Sequence, residues 1–311
     1  LLAFNVAPSP TFLNQALALA GWGLFLCTLP SARLPGRGLG PSWPLLAALA
    51  LVGMAVLGSW GLAGLPSSLA LSALGMLAAA ALLARAGADA ARRDAEAAQS
   101  LLAAFALGWV VAGVLSTGIA LVQVFAPALA DGQWIARSGT PGRAVGNLRQ
   151  PNHLASLLTW AAIALVALVE LRRLRAATAA ALMAAFVAAI VLSASRTGLL
   201  GVLALAAWGA LDRRLRPSTR ATLIAAPLIY AAVWAGMAAW SHMAGQAFAG
   251  EARLQSADIS SSRFGIWANT LALIRAHPWF GVGFGEFNAA WTLSAFPGRP
   301  TAFFDHTHNL P

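Results

Sequence analysis

Charge is what this sequence has least of. Of 311 residues only 10% are charged, against 59% hydrophobic and a mean hydropathy of +0.72; a soluble domain carries about 25% charged residues. A chain of this length cannot build a core large enough to hide so much apolar surface. That excludes an ordinary soluble fold and makes lipid the solvent of most side chains. Lysine is absent: all 20 basic residues are arginine, and the net charge is +10. A single cysteine, Cys27, excludes an intrachain disulfide or a cysteine-built metal site, and its apolar surroundings suit a structural thiol. Segments of about ten residues with alternating polarity, the mark of a membrane barrel, are missing. So are a Walker loop and a Gly-x-Ser-x-Gly elbow, and no signal peptide is visible. The chain opens on Leu1–Leu2–Ala3–Phe4, like the tail of a cut span, and stops inside His308–Asn309–Leu310–Pro311. It reads as a piece of a longer protein.

What is present is alanine and leucine in runs near the 20 residues that cross a bilayer as helix. The runs fall at about 11–30, 44–64, 67–84, 101–126, 153–171, 176–194, 197–211 and 221–243. The expected fold is therefore all-α, a polytopic transmembrane helix bundle in a lipid bilayer. About eight spans occupy residues 1–243, and residues 244–311 form a large outer loop with short helices. Pro66, with Gly61 and Gly64, predicts a tight turn between the second and third runs. Twelve arginines lie in alternate short loops: Arg33 and Arg37; Arg85, Arg92 and Arg93; Arg172, Arg173 and Arg175; Arg213, Arg214, Arg216 and Arg220. Positive charge in short loops marks the cytoplasmic side.

The other eight arginines fall outside: Arg137, Arg143, Arg149, Arg196, Arg253, Arg263, Arg275 and Arg299. The carboxylates available there, Asp131, Glu251, Asp258, Glu286 and Asp305, are too few to pair them all. Guanidinium forks match phosphate oxygens, so an anionic ligand is the functional alternative to local ion pairing. The arginines sit between apolar runs rather than on one soluble face, which argues against nucleic acid.

Four constellations could carry chemistry. Asn147-Leu148-Arg149-Gln150-Pro151-Asn152-His153 stands at the mouth of a membrane helix. Asn152 there is a candidate N-cap, but capping does not explain Arg149, Gln150 and His153 together at the lipid boundary, where ionisable groups are costly. Ser193-Ala194-Ser195-Arg196-Thr197-Gly198 joins two spans with almost no loop, so Arg196 either snorkels or faces a ligand. Ser262-Arg263 opens a helical stretch to His277, with Phe264, Trp267, Leu271 and Ile274 at helical spacing, amphipathic and suited to the membrane surface. Asp305-His306-Thr307-His308-Asn309 holds two histidines. A metal would need more ligands than this segment offers, whereas an imidazole titrating near neutrality can take a proton from a hydroxyl.

Taken together, Asn147–Ala155, Ser193–Gly198, Ser262–Phe287 and His306–Leu310 resemble the O-antigen ligase and polymerase superfamily. The Gln-Pro-Asn-His-Leu-Ala string at 150–155 resembles its protein O-oligosaccharyltransferase branch. The resemblance implies a glycosyltransferase C-like bundle in a bacterial inner membrane, with the active site on the periplasmic face. It implies transfer of an oligosaccharide from a polyprenyl diphosphate carrier to a hydroxyl of a periplasmic protein or a lipid A core, without metal or other cofactor. By the match, His308 corresponds to the family's essential histidine, with His306 as competitor. Arg196 and Arg263 correspond to the diphosphate-binding arginines. Gln150 and His153 match the oligosaccharyltransferase motif, with Arg149 and Asn309 beside these residues. An O-antigen polymerase and, in another class, an anionic-lipid transporter are the rivals. The transporter is disfavoured because transporters place polar groups near the bilayer midplane, whereas these motifs cluster at one face.

Overall fold

The computed structural model describes residues 43–62, 64–93, 95–251, 261–278, 281–285, 287–294 and 296, with a few helical positions between 17 and 24. The expected span at 11–30 and the loop with Arg33 and Arg37 lie almost entirely outside the described residues. The described residues form helices and connecting loops, with no strand among them. The helices are α1 (Trp43–Leu62), α2 (Ser67–Arg93), α3 (Ala95–Phe125), α4 (Pro151–Glu170), α5 (Ala176–Leu192), α6 (Arg196–Leu211), α7 (Pro217–Ala244), α8 (Ser261–Ala276) and α9 (Phe287–Leu293). Each expected span from 44 onward coincides with a helix. Five, α1 to α4 and α7, are long and apolar enough to cross a membrane. The chain is a multi-pass helical membrane protein. At 17 and 16 residues, α5 and α6 rise only about 24–26 Å, short of a hydrocarbon core of about 30 Å.

The chain divides into two compact units. In the first, running from Glu96 to Ser256, α4, α5, α6 and α7 pack around Leu154, Leu158, Leu165, Met183, Phe186, Ile190, Val202 and Leu223, all buried. Small residues let the backbones close in, since lipid supplies no hydrophobic drive between helices. A Cβ on Gly113 of α3 would lie 2.6 Å from Ala161 and 2.8 Å from Phe186, and one on Gly198 of α6 would lie 2.6 Å from Ile190 and 2.9 Å from Ala155. Outward-facing side chains such as Leu115, Leu121, Leu200 and Leu228 remain exposed, as a lipid-facing surface requires.

The second unit contains α1, α2, α8 and α9. The turn at 64–66 forms as expected: Gly64 has φ +78°, and the Leu65 N–H donates to the Ser59 carbonyl at 3.1 Å. Val56, Leu65 and Ala70 form the buried contact between α1 and α2. The Phe284 N–H donates to Ser59 Oγ at 2.6 Å, tying the glycine-rich turn to α1. Two expectations change here. Arg85 and Arg92 are not in a loop: α2 runs on through them, and Asp89 binds both, at 3.5 Å and 2.6 Å, at helical i,i+4 and i,i+3 spacing. Helix α8 packs inward through Ile266, Asn269 and Leu273, leaving Leu271 and Ile274, two of the expected stripe, exposed.

Candidate functional site

In the first unit, α3, α5 and α7 end, and α4 and α6 begin, at one pole, here the loop end. The segment between α3 and α4 is built on one buried side chain. Gln123, 3% exposed in the last turns of α3, uses its whole amide. Its Nε2 donates to the carbonyls of Ala136 at 2.6 Å and Gly146 at 3.3 Å, and its Oε1 accepts from the N–H groups of Val145 and Gly146, each at 2.9 Å. Asn147 repeats the device: Oδ1 accepts from Ala136 N–H at 2.9 Å and Nδ2 donates to the Trp134 carbonyl at 2.8 Å. A folded loop must satisfy every buried backbone group, and two amides do most of that here. Asp131 caps the opening turn by accepting from the N–H groups of Ile135, Gln133 and Trp134. Those bonds hold its carboxyl below the usual range.

This loop is joined to the α5–α6 turn. Arg143 Nε donates to the Ser193 carbonyl at 3.1 Å and the Ala144 N–H to the Leu192 carbonyl at 2.9 Å. Ala249 N–H reaches the Gly142 carbonyl at 3.3 Å, and a Cβ on Gly142 would collide with the Ala247 carbonyl, so only glycine fits that crossing.

Helices α4 and α6 present their N-termini side by side. Gln150 caps α4, its Oε1 accepting from His153 N–H at 3.0 Å, with Pro151 at the first helical position. Ser195 caps α6, its Oγ accepting from Gly198 N–H at 3.2 Å and donating to Asn152 Oδ1 at 2.7 Å. The two caps are thus linked through a serine only 1% exposed. Asn152, expected to cap α4, serves that bridge instead, because Gln150 already occupies the cap. Before each helix a non-glycine residue takes the left-handed conformation, Arg149 at φ 56° and Ala194 at φ 49°. That conformation is costly for side-chain-bearing residues. Arg149, His153 and Arg196 are exposed around the pair. Of the carboxylates described at this end, Asp131 is turned to backbone N–H groups and Glu251 lies 2.9 Å from His242. Two helix N-termini with guanidinium groups around them concentrate positive potential at this end.

Residues 144–169, which include the α4 cap, match the protein glycosylation ligase family, and residues 178–311 match the O-antigen ligase family. Together these two matches support the O-antigen ligase superfamily for this chain. No curated protein and no solved structure matches it. Ligases of this superfamily act on lipid-linked glycan donors and transfer the glycan to acceptors. Of the residues the motifs single out, Arg149, Gln150, His153 and Arg196 are gathered at the loop end. Arg263 stands in the first turn of α8 with its side chain outside the described residues. His306, His308 and Asn309 lie outside them altogether. Sequence reasoning missed Gln123. The available signal was a lone amide in the apolar run Leu121-Val122-Gln123-Val124-Phe125, two residues before Pro127.

Proposed function

We propose that this chain moves an oligosaccharide from a polyprenyl diphosphate carrier to a hydroxyl of a periplasmic protein, at the periplasmic face of a bacterial inner membrane. The observation that carries the reading is the joined pair of helix N-termini, Gln150–Asn152 with Ser195–Arg196, surrounded by arginine. It suits the charge that a leaving diphosphate develops, and fixed guanidiniums and backbone N–H groups stabilise that charge without a metal. The residues assigned to the diphosphate are Arg196 and, by the motif, Arg263, with Arg149, Gln150 and His153 completing the donor pocket. His308, followed by Asn309, is the base, and His306 stands beside it.

In the proposed step the acceptor oxygen forms a bond to the anomeric carbon as the bond from that carbon to the phosphate oxygen breaks. The electron pair leaves on the diphosphate, the hydroxyl proton passes to the His308 imidazole, and the anomeric centre inverts. The match of residues 144–169 to the protein glycosylation ligase family favours a protein acceptor. The longer match to the O-antigen ligase family supports the second reading, a lipid A core acceptor.

A reconstituted assay separates the readings: purified protein with lipid-linked glycan is offered a pilin-like protein, a lipid A core, or a second lipid-linked glycan. Transfer to the protein alone supports the first, and transfer to the lipid A core or to the second glycan replaces it. His308→Ala should cost about 10²–10⁴-fold in rate, the usual loss of a general base, while donor still binds. His306→Ala should retain more activity. Near wild-type transfer by His308→Ala removes the base assignment.

A further inference from the structure

At the opposite pole of the first unit, the far end, a groove separates the start of α3 from the end of α4. It has a volume of about 270 Å³ and is lined by Ser100, Ala103, Leu107, Leu168, Arg173 and Leu174. The space follows from how the two helices cross. They touch closely at Gly113 and Ala161 and again where the Trp109 and Trp160 rings stand 6.2 Å apart. From that crossing toward the far end, α3 lines the groove with Leu107, Ala103 and Ser100, and Leu168, Arg173 and Leu174 line it opposite. The groove is therefore apolar along its length and changes character only at its mouth.

The mouth is held by the backbone. Arg172 takes φ 57°, its N–H donates to the Val169 carbonyl at 3.0 Å, and the Arg173 N–H donates to the Leu168 carbonyl at 2.8 Å. These two bonds make the Schellman closure of α4, which fixes Arg173 against Leu168. Among the described residues no side-chain hydrogen bond or ion pair engages Arg172, Arg173 or Arg175, and all three are exposed. Two arginines of the α6–α7 turn differ: Arg214 holds Asp212 at 2.9 Å, and Arg220 Nε donates to the Gly209 carbonyl at 2.9 Å. A cation at a helix C-terminus complements the dipole, but that alone calls for no groove beside it.

We propose that this groove is a binding site for an anionic phospholipid, with acyl chain along Ala103, Leu107 and Leu168 and headgroup phosphate at Arg173. The volume, about 270 Å³, lies just below the lower end of small-molecule sites, roughly 300–1,000 Å³. An apolar slot with one basic, hydroxyl-bearing mouth matches an amphiphile of that polarity. The proposal does not rest on the transfer reading, since the groove lies at the pole away from Arg196.

The test uses the whole chain purified in detergent, with phosphatidylglycerol, phosphatidylcholine or inorganic phosphate added and retention read by native mass spectrometry. Phosphatidylglycerol should be retained in preference to phosphatidylcholine, and inorganic phosphate should not displace it. Arg173→Ala should lose about five-fold in retention, what one arginine contributes near an anionic surface. Leu107→Trp, which fills the slot and leaves charge unchanged, should lose retention as well, and Arg213→Ala should not. Each variant's thermal unfolding checks that the fold is kept, and Ala103→Leu replaces Leu107→Trp if that variant is unstable. Equal retention of the two lipids, an unaffected Arg173→Ala, or an equal loss in Arg213→Ala overturns the site and leaves ordinary annular lipid. Displacement by inorganic phosphate reassigns the mouth to a free anion.

Discussion

The two poles of the first unit are both rich in arginine, and the physics of the helix ends sets them apart. At the far end Arg214, Arg216 and Arg220 have work to do within the fold. Arg220 donates to the carbonyls of Gly209 at 2.9 Å and Ala210 at 3.2 Å, satisfying the open end of α6. Glu170 accepts from Thr219 Oγ1 at 2.6 Å and from Arg216 N–H at 3.1 Å, and Arg214 holds the Asp212 carboxyl far below its ordinary range. Cations at helix C-termini are favourable by about 0.3–1 kcal/mol each. At the loop end the sign reverses. Arg196 is the first residue of α6 and Arg149 precedes the α4 cap, so guanidinium charge stands at positive helix poles. Arg143, on the Ser193 carbonyl that follows α5, is placed as the dipole prefers. Arginine set against the local dipole suits the anionic donor proposed above, whereas Arg214 and Arg220 are satisfied within the fold.

The sharpest way to break this contrast is to remove charge at each pole. Arg196→Ala should weaken donor use by about 10–100-fold, since hydrogen bonds to charged groups contribute roughly 1.5–3 kcal/mol. Arg196→Lys, lacking the planar fork, should recover only part. Arg214→Ala should leave transfer unchanged. Donor titration in the reconstituted assay reads all three, and an equal loss at both poles would dissolve the distinction.

Gln123→Leu comes next. It strands the N–H groups of Val145 and Gly146 and the carbonyl of Ala136, so a loss of about 3 kcal/mol in stability is expected. Trypsin cleavage after Arg137 or Arg143, together with the unfolding midpoint, would report it. Gln123→Glu keeps the acceptor oxygen and should fall between. Arg220→Ala, uncapping two carbonyls, should cost about 1 kcal/mol and leave transfer intact.

The smallest effect concerns Asp131. Its carboxyl is held below the usual range by backbone N–H groups, so its contribution is present at neutral pH and lost as pH falls through the lowered value. Loop proteolysis by an acid-stable protease should rise only under strongly acidic conditions, and Asp131→Asn should flatten that rise.

The spans were legible because lipid demands long apolar runs, and that demand left each helix from α1 to α7 visible as a stretch of alanine and leucine. The end of α2 was not, because arginine in a membrane protein suggests a loop. Asp89 three and four residues from Arg92 and Arg85 allows a helix to carry such charge. At the candidate site the polar strings stood out by type, while their pairing did not. The bond from Ser195 to Asn152 spans 43 residues, and no local pattern announces it. Gln123 was hidden because one amide in an apolar run reads as tolerated rather than structural. For His306, His308 and Asn309 the motif remains the whole of the argument.

The amide of Gln123 also bears on the order in which the protein can be made. Its partners lie 13 to 23 residues further along the chain, whereas Arg143 finds its carbonyl 50 residues on. A chain emerging from its N-terminus can gather residues 136–146 onto α3 before α5 has been synthesised. The lock onto Ser193 then follows once the α4–α5 hairpin has entered the bilayer. The loop is thus shaped early and tethered late, so the polar end of α3 need not wait, unsatisfied, for the helices that will surround it.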